Sequence, residues 1–560
     1  MKKNFGFLLS VAFLLTMLLS SCSKMPKYSK LIPDDAYVLV RFDVKQILEK
    51  SELADNSDAK KEMRKALKES NLRKETREKI EEIISNPLNL GLDLRDPVVF
   101  YVTPQGHRMN SVLVGSVYDD DDFASFLNTM AKEADVEKVK TKNDLSYIYF
   151  GRTAVYFDDE SFYIAEVPFG ADEDDCRRDV QDLFQNKDEK GTMAAAQKMT
   201  ELCSRNGIVQ LMITGDALEE MARKESELRD LDLDLSKIDL LADLEMNDGE
   251  CSITGEVLTD DAQWKEELDN MAACAQKIDG SLFKYLPQSG LNMLCGIDGE
   301  KIWDALEEDG LFKQMKGEDR RMFRKMLCSA KGNMAWSLYD IDTTHGSNPV
   351  MVGYMQTTDN SIVKAFQESN RSETVAGGLY REVFSHSYDY DYETGDMNSV
   401  VSSWMVYGCK NNVSGFAVGY DPKPFTPMTK AFTGRDAEGK LFYACCDANF
   451  ISRMAGKMNG NKEMKEYVQK QLKQYDYTEM YLDKPGKLVW KLYLTDKKAN
   501  PLALLTQSCV DLVKELRDGM FRNDSYDSYD DYSYDDLAEL DTLAVDTVAW
   551  DDEVYVEEAY

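Results

Sequence analysis

The chain reads as an α+β protein of two tandem halves, each built from two β-α-β-β-α units with mainly antiparallel sheets and helices on one face, followed by a disordered acidic tail. Three observations predict this. An apolar strand that ends in Asp and runs into a helix recurs four times. A Gly-containing turn between alternating apolar runs, the signature of a β-hairpin, follows each recurrence. The composition then changes abruptly near the C-terminus. With 560 residues, 43% of them hydrophobic, the chain exceeds one ordinary core.

The four strand-to-helix junctions are Tyr37–Asp43, Val209–Asp216, Met293–Asp298 and Phe442–Asp447. At each, the carboxylate of Asp43, Asp216, Asp298 or Asp447 is placed to cap the next helix by accepting from an orphan N–H. Gln46 and Glu219, three residues on, complete capping boxes in the first two copies. Such aspartates are structural, not catalytic. The hairpin turns fall at Pro104–His107, Asn247–Gly249, Thr344–Gly346 and Lys484–Gly486. Acidic caps near Asp119, Asp261, Asn360 and Asp496 then open a second helix in each copy.

Asp43 and Asp298 are 255 residues apart and Asp216 and Asp447 are 231 apart, so odd and even copies correspond. The odd copies share two insertions. One is charged helical sequence at 58–85 and 311–329; the other is a strand meander at 147–165 and 379–419. The halves are therefore 31–279 and 280–518, and each sheet is expected to expose its second face to solvent or to its twin.

The tail, 519–560, holds 14 acidic residues and no Lys or Arg from Asn523 onward, hence −14 of the net −34. It has no period that buries a face, so disorder is expected. A net charge of −34 also argues against a nucleic-acid partner, since phosphate needs the opposite field. An EF-hand is excluded because no Gly follows Gly519, so the tail reads as a plain solvated segment, with weak diffuse cation binding as the alternative.

No motif points to a cofactor or a metal. G-x-S-x-G, H-E-x-x-H, a P-loop and a dinucleotide fingerprint are all absent. Ser281-Leu-Phe-Lys284 matches S-x-x-K without its partner motifs, a pattern that chance supplies in a chain this long. The three histidines, His107, His345 and His386, sit in turns or at a strand end. Ten cysteines follow Cys22 without C-x-x-C or zinc spacing.

The N-terminus carries an address. Lys2 and Lys3 precede an apolar run from Phe5 to Leu19, and Leu19-Ser-Ser-Cys22 resembles a bacterial lipobox. Residues 1–21 are then a signal peptide, Cys22 is the lipidated residue, and 22–30 is a linker that tethers the chain to a lipid bilayer. By resemblance to diderm lipoproteins, Ser23 and the absence of an acidic cluster after it imply the periplasmic face of the outer membrane. Asp541-Thr542-Leu543, Asp546-Thr547-Val548 and Asp342-Thr343-Thr344 resemble the O-glycosylation sequon of exported Bacteroidota proteins, which makes Thr343, Thr542 and Thr547 candidate acceptors; unmodified surface segments are the alternative.

Together with Cys22-Ser-Lys, the stretch Leu31-Ile-Pro-Asp-Asp-Ala-Tyr-Val-Leu-Val-Arg-Phe-Asp43 resembles a family of large Bacteroidota lipoproteins described only as domain-of-unknown-function family 4836. That resemblance implies location and architecture and brings no catalytic residue with it. Two readings follow. One is a non-enzymatic envelope binding or scaffolding module with an envelope protein or glycan as partner. The other is a hydrolase of envelope or dietary glycans or peptides, working through carboxylates in the cleft between the halves.

Overall fold

The computed structural model describes residues 26–53, 56–104, 111–186, 190–192, 197–224, 234–308, 315, 317–344, 347–369, 372–390, 397–457 and 462–517. The first copy runs from β1 (Val38–Phe42) through α1 (Val44–Lys50), then through the charged insertion α2 (Ser57–Glu69) and α3 (Lys74–Ser85). It closes with β2 (Val98–Val102), β3 (Ser111–Ser116) and α4 (Asp120–Ala134). The meander follows as β4 (Lys140–Lys142), β5 (Leu145–Phe150), β6 (Thr153–Phe157) and β7 (Ser161–Glu166), with α5 (Glu173–Phe184) and α6 (Gln197–Cys203) after it. The second copy comprises β8 (Val209–Ile213), α7 (Gly215–Lys224), β9 (Asp239–Asn247), β10 (Glu250–Leu258) and α8 (Ala262–Cys274).

After a two-residue strand, β11 (Ala275–Gln276), the pattern repeats. The third copy is β12 (Leu291–Asp298), α9 (Gly299–Glu308), α10 (Gly317–Ser329), β13 (Ala330–Asp342), β14 (Asn348–Thr357) and α11 (Ser361–Ser369). Its meander is β15 (Glu373–Val375), β16 (Leu379–Tyr390), β17 (Met397–Lys410) and β18 (Val413–Gly419). The fourth copy is β19 (Phe442–Asp447), α12 (Ala448–Lys457), α13 (Lys462–Leu472), β20 (Tyr475–Lys484), β21 (Lys487–Leu494) and α14 (Pro501–Arg517). Four β-α-β-β-α units with two meanders are present.

All strands join one antiparallel sheet. Its order is β4-β5-β6-β7-β3-β2-β1-β8-β9-β10 in the first half. In the second it is β15-β16-β17-β18-β14-β13-β12-β19-β20-β21, position for position the same. The halves meet edge to edge where β10 pairs with β21, from Glu250↔Tyr493 to Glu256↔Lys487. Glu250 and Lys487 each open their strand after an equivalent turn, so a pseudo-two-fold axis passes through the central pair Ile253↔Trp490. One compact unit extends to Val510, and a second unit begins at Asp511.

The expectation of helices on one face needs correction. Helix α4 packs on one side of the first half, with Phe123, Leu127 and Ala131 against Val98, Leu113, Phe157 and Phe162. The other side, bearing Leu39, Val99, Tyr101, Val114 and Met212, is covered too. There lie Tyr28, Leu31 and Ile32 together with Cys176 and Val180 of α5 and Met199 and Leu202 of α6. In the second half Ile278, Leu282 and Leu286, with Phe432 and Ala437, cover Leu294, Tyr354 and Tyr443 in the same way. The bridges Pro33↔Thr192 and Pro287↔Ala431 mark the equivalence of the two covers. The physical reason is that both faces of these strands are apolar, and an uncovered face would leave Leu39 or Tyr443 in water. Residues 27–30, expected in the linker, belong with Leu31 to a 3-10 turn in this cover, with Tyr28 fully buried.

The four aspartates diverge. Asp43 accepts from the Gln46 amide at 2.9 Å, and the Gln46 side chain donates to the same carboxylate at 2.9 Å, while the Asp43 N–H donates to the Ile208 carbonyl instead of to Gln46, so the box is not closed. Asp447 accepts from the Phe450 amide at 3.0 Å, from Gly290 N–H at 2.9 Å and from the Ser289 hydroxyl at 3.0 Å, tying β19 to the strand beside it. Asp298 reaches the Lys301 amide only at 3.5 Å and pairs with Lys331 at 3.7 Å. Asp216 is not a cap. It lies exposed inside the first turn of α7, whose leading amide, Gly215 N–H, donates to Asp239 instead. The capping box with Glu219 is therefore absent, and Glu219 pairs with Arg223. Asp447→Ala should cost about 2–4 kcal/mol, because it removes a cap and orphans the buried Gly290 amide. Asp216→Ala should stay within about 0.5 kcal/mol. Denaturant midpoints of the two variants check this contrast.

Candidate functional site

The sheet positions one motif twice. Gly115 of β3 faces Phe162 of β7, and Gly353 of β14 faces Phe416 of β18. In each pair the aromatic ring lies over the glycine, where an added Cβ would collide with it. The next strand supplies a second ring at the same register, Phe157 opposite Phe162 and Tyr407 opposite Phe416. The two-residue turn Asn411-Asn412, with φ of 52° and 57°, fixes the β17–β18 register.

The helices above these frames differ. In the first half the ring of Phe123, 3% exposed, sits 5.0 Å from Phe157 in a T-shaped contact and 6.1 Å from Phe162, so the site is filled. In the second half the corresponding helix α11 has 9 residues against 15 in α4. It presents Ile362, Val363 and Phe366, and a cavity of about 400 Å³ opens between it and the sheet. Trp336, Gly353, Phe416 and Tyr407 line the floor, with Met334, Met355 and Met405 beside them. Phe366 contacts Tyr407 edge-on at 5.4 Å yet remains 40% exposed. The hydroxyls of Tyr407 and Ser372 are 2.6 Å apart, and burial pushes the Tyr407 phenol above its ordinary range. Chemically, this is a concave, mainly apolar site of ligand size whose lining also includes Tyr407 and Ser414.

Carboxylates do gather where the halves join, and each is engaged. Glu256 pairs with Arg205 at 3.0 Å and Lys484 at 3.7 Å, and Glu250 with Lys491 at 3.3 Å. The buried Glu479 accepts from the hydroxyls of Tyr443 and Tyr493, both at 2.8 Å, and both phenols are raised well above their ordinary range, chiefly by burial. Ser281 and Lys284 have separate partners: the Ser281 hydroxyl accepts from Gln356 at 2.9 Å, and the Lys284 ammonium lies 4.9 Å from the Tyr285 ring centre. His386 pairs with Val401 in the β16–β17 ribbon. The ten cysteines of the described residues are free thiols. No group of three His, Cys, Asp or Glu side chains among the described residues is arranged to hold a metal. Thr343 is exposed at a hairpin end. Cys22, His107, His345, Thr542 and Thr547 lie outside the described residues.

The sequence reading missed the cavity. Its signal was the apolar spacing of Phe123, Leu127 and Ala131, of which Ile362 and Phe366 repeat only the first step before the polar run Gln367–Asn370. No helix among the described residues is long and apolar enough to cross a membrane.

Comparison with known proteins adds a family. Residues 28–400 match the family described as Domain of unknown function (DUF4836). The chain belongs to this family. The match covers the first half, the cavity framework of β13, β14 and α11, and most of the β16–β17 ribbon. No curated protein and no solved structure matches the chain.

The two glycines of this DUF4836 member give a differential prediction. Gly115→Ala should cost about 1–3 kcal/mol, because Phe123 blocks any retreat of the Phe162 ring. Gly353→Ala should cost less, since Phe416 can swing into the open space. Thermal melting of both variants measures the difference.

Proposed function

We propose that the protein is a lipid-anchored cell-envelope protein acting as a non-enzymatic binding module, with the cavity beneath α11 as its binding site. The observation that carries this reading is the apolar space of about 400 Å³ at a position that the first half fills with its own side chain. Natural interiors are close-packed, and an unfilled space of ligand size costs stability that occupancy restores. The seam carboxylates supply no specific support for the hydrolase alternative, because each is held by a cation or by two phenols.

The anchor rests on Leu19-Ser-Ser-Cys22. Acyl chains on Cys22 would hold the folded body at a bilayer, on the periplasmic face of the outer membrane in this reading, because each buried CH₂ contributes roughly 0.8 kcal/mol. The tail brings 14 carboxylates, with Thr542 and Thr547 as proposed glycan acceptors beside Thr343. Envelope proteins or glycans are its proposed macromolecular partners.

Two measurements test the reading. Cys22→Ser should abolish labelling by an alkyne fatty acid and move the protein out of the membrane fraction; unchanged labelling contradicts the anchor. Protein purified from its native envelope should release a small apolar molecule on organic extraction, seen by mass spectrometry. Val363→Phe, which fills the cavity, should lose that mass. Equal recovery from both proteins contradicts the binding site.

A further inference from the structure

Resting on that binding reading, we infer that the cavity is selective for a small molecule carrying an aromatic ring, and that this ring takes the place over Phe416 that Phe123 takes beside Phe162 in the first half. The two halves share the frame: a glycine covered by a phenylalanine ring, with a second aromatic ring on the next strand. In the first half the complement to this frame is visible, a phenyl ring set edge-on at 5.0 Å to Phe157. The second half keeps the frame, but its own ring, Phe366, reaches only Tyr407, edge-on at 5.4 Å, and stays 40% exposed, whereas Phe123 also lies 6.1 Å from Phe162; the space over Phe416 is left open.

The other walls changed in a direction that suits an aryl guest. Register places Met355 where the first half has Val117, Met405 where it has Val155, and Trp336 where it has Val98. Thioethers and an indole face replace branched aliphatics. Sulfur–aromatic contacts and edge-to-face ring pairs each contribute attraction beyond the area they bury. An alkyl guest of equal size gains the buried area without these terms. The preference for a ring is a sum of several such contacts and should reach tenfold or more. Phe366, half in solvent and edge-on to Tyr407, stands at the mouth, where its ring would close on the guest.

The test uses the full-length Cys22→Ser chain, which carries no acyl groups to compete, with indole and n-octanol as probes matched in heavy-atom number. Calorimetric titration should show indole binding one-to-one, at least tenfold tighter than n-octanol. Val363→Phe should weaken indole at least tenfold while raising the melting temperature, and Phe366→Leu should narrow the indole preference while leaving n-octanol nearly unchanged. Should Val363→Phe melt lower than the parent, Ile362→Phe applies the same block from the adjacent lining position. Octanol binding as tightly as indole overturns the ring selectivity and leaves the binding site standing. Uptake of neither probe overturns both.

Discussion

The backbone pairing of β10 with β21 is the interaction on which the rest of the structure depends. Each half, taken alone, would end in an open strand of at least seven residues, a row of unsatisfied N–H and C=O groups that invites aggregation. The halves satisfy each other's edge. Because the pairing is antiparallel and centred on Ile253↔Trp490, it is self-complementary, as in an isologous dimer, with both partners on one chain. It also sets the faces. In a shared sheet the period-2 alternation must run through the seam, so α4 and α11 fall on one side and the two covers, α5 and α6 included, on the other. The ion pairs Glu250–Lys491 and Glu256–Lys484 bridge the seam and help to fix its register, although partly exposed pairs contribute little energy.

Duplication within one sheet has a functional consequence. One copy of a site can keep the fold while its twin changes. In the first half Phe123 completes a close-packed cluster with Phe157 and Phe162, and that cluster stabilises the α4 side of the sheet. The second half has the same glycine, the same stacked ring and a shorter helix, and what was core has become a pocket. The difference between the two sites lies in a few side chains and in helix length rather than in topology. Asp216 and Asp447 show the same freedom: they lie at the ends of corresponding strands, β8 and β19, one solvated in a helical turn and one joining two strands and a helix.

Much of this was legible in the sequence because it is encoded locally. Tyr37–Asp43 announces a strand and a cap, and Asn247-Asp-Gly249 a tight turn, within a few residues of chain. The fourfold recurrence followed from such local signals. The seam did not, since nothing near Ile253 specifies that Trp490 will face it, and strand partners far apart in sequence leave no periodic trace. The second cover escaped for a related reason. Tyr28 and Met199 lie in stretches without a strong amphipathic period, and only their burial against Leu39 and Met212 shows their role. The cavity is a packing defect relative to a sister site, and it becomes visible only when Phe157 and Tyr407 are superposed by sheet register.

Residue-resolved hydrogen exchange along β10 and β21 tests the single-sheet account most directly. In these strands alternate amides point to the hairpin partner and to the seam. If the halves share one sheet, both sets within 250–256 and 487–493 will exchange slowly, as central strands do. Slow exchange only for amides facing β9 and β20, with the seam-facing amides exchanging at the rate of an open edge, would show two separate sheets and contradict the account.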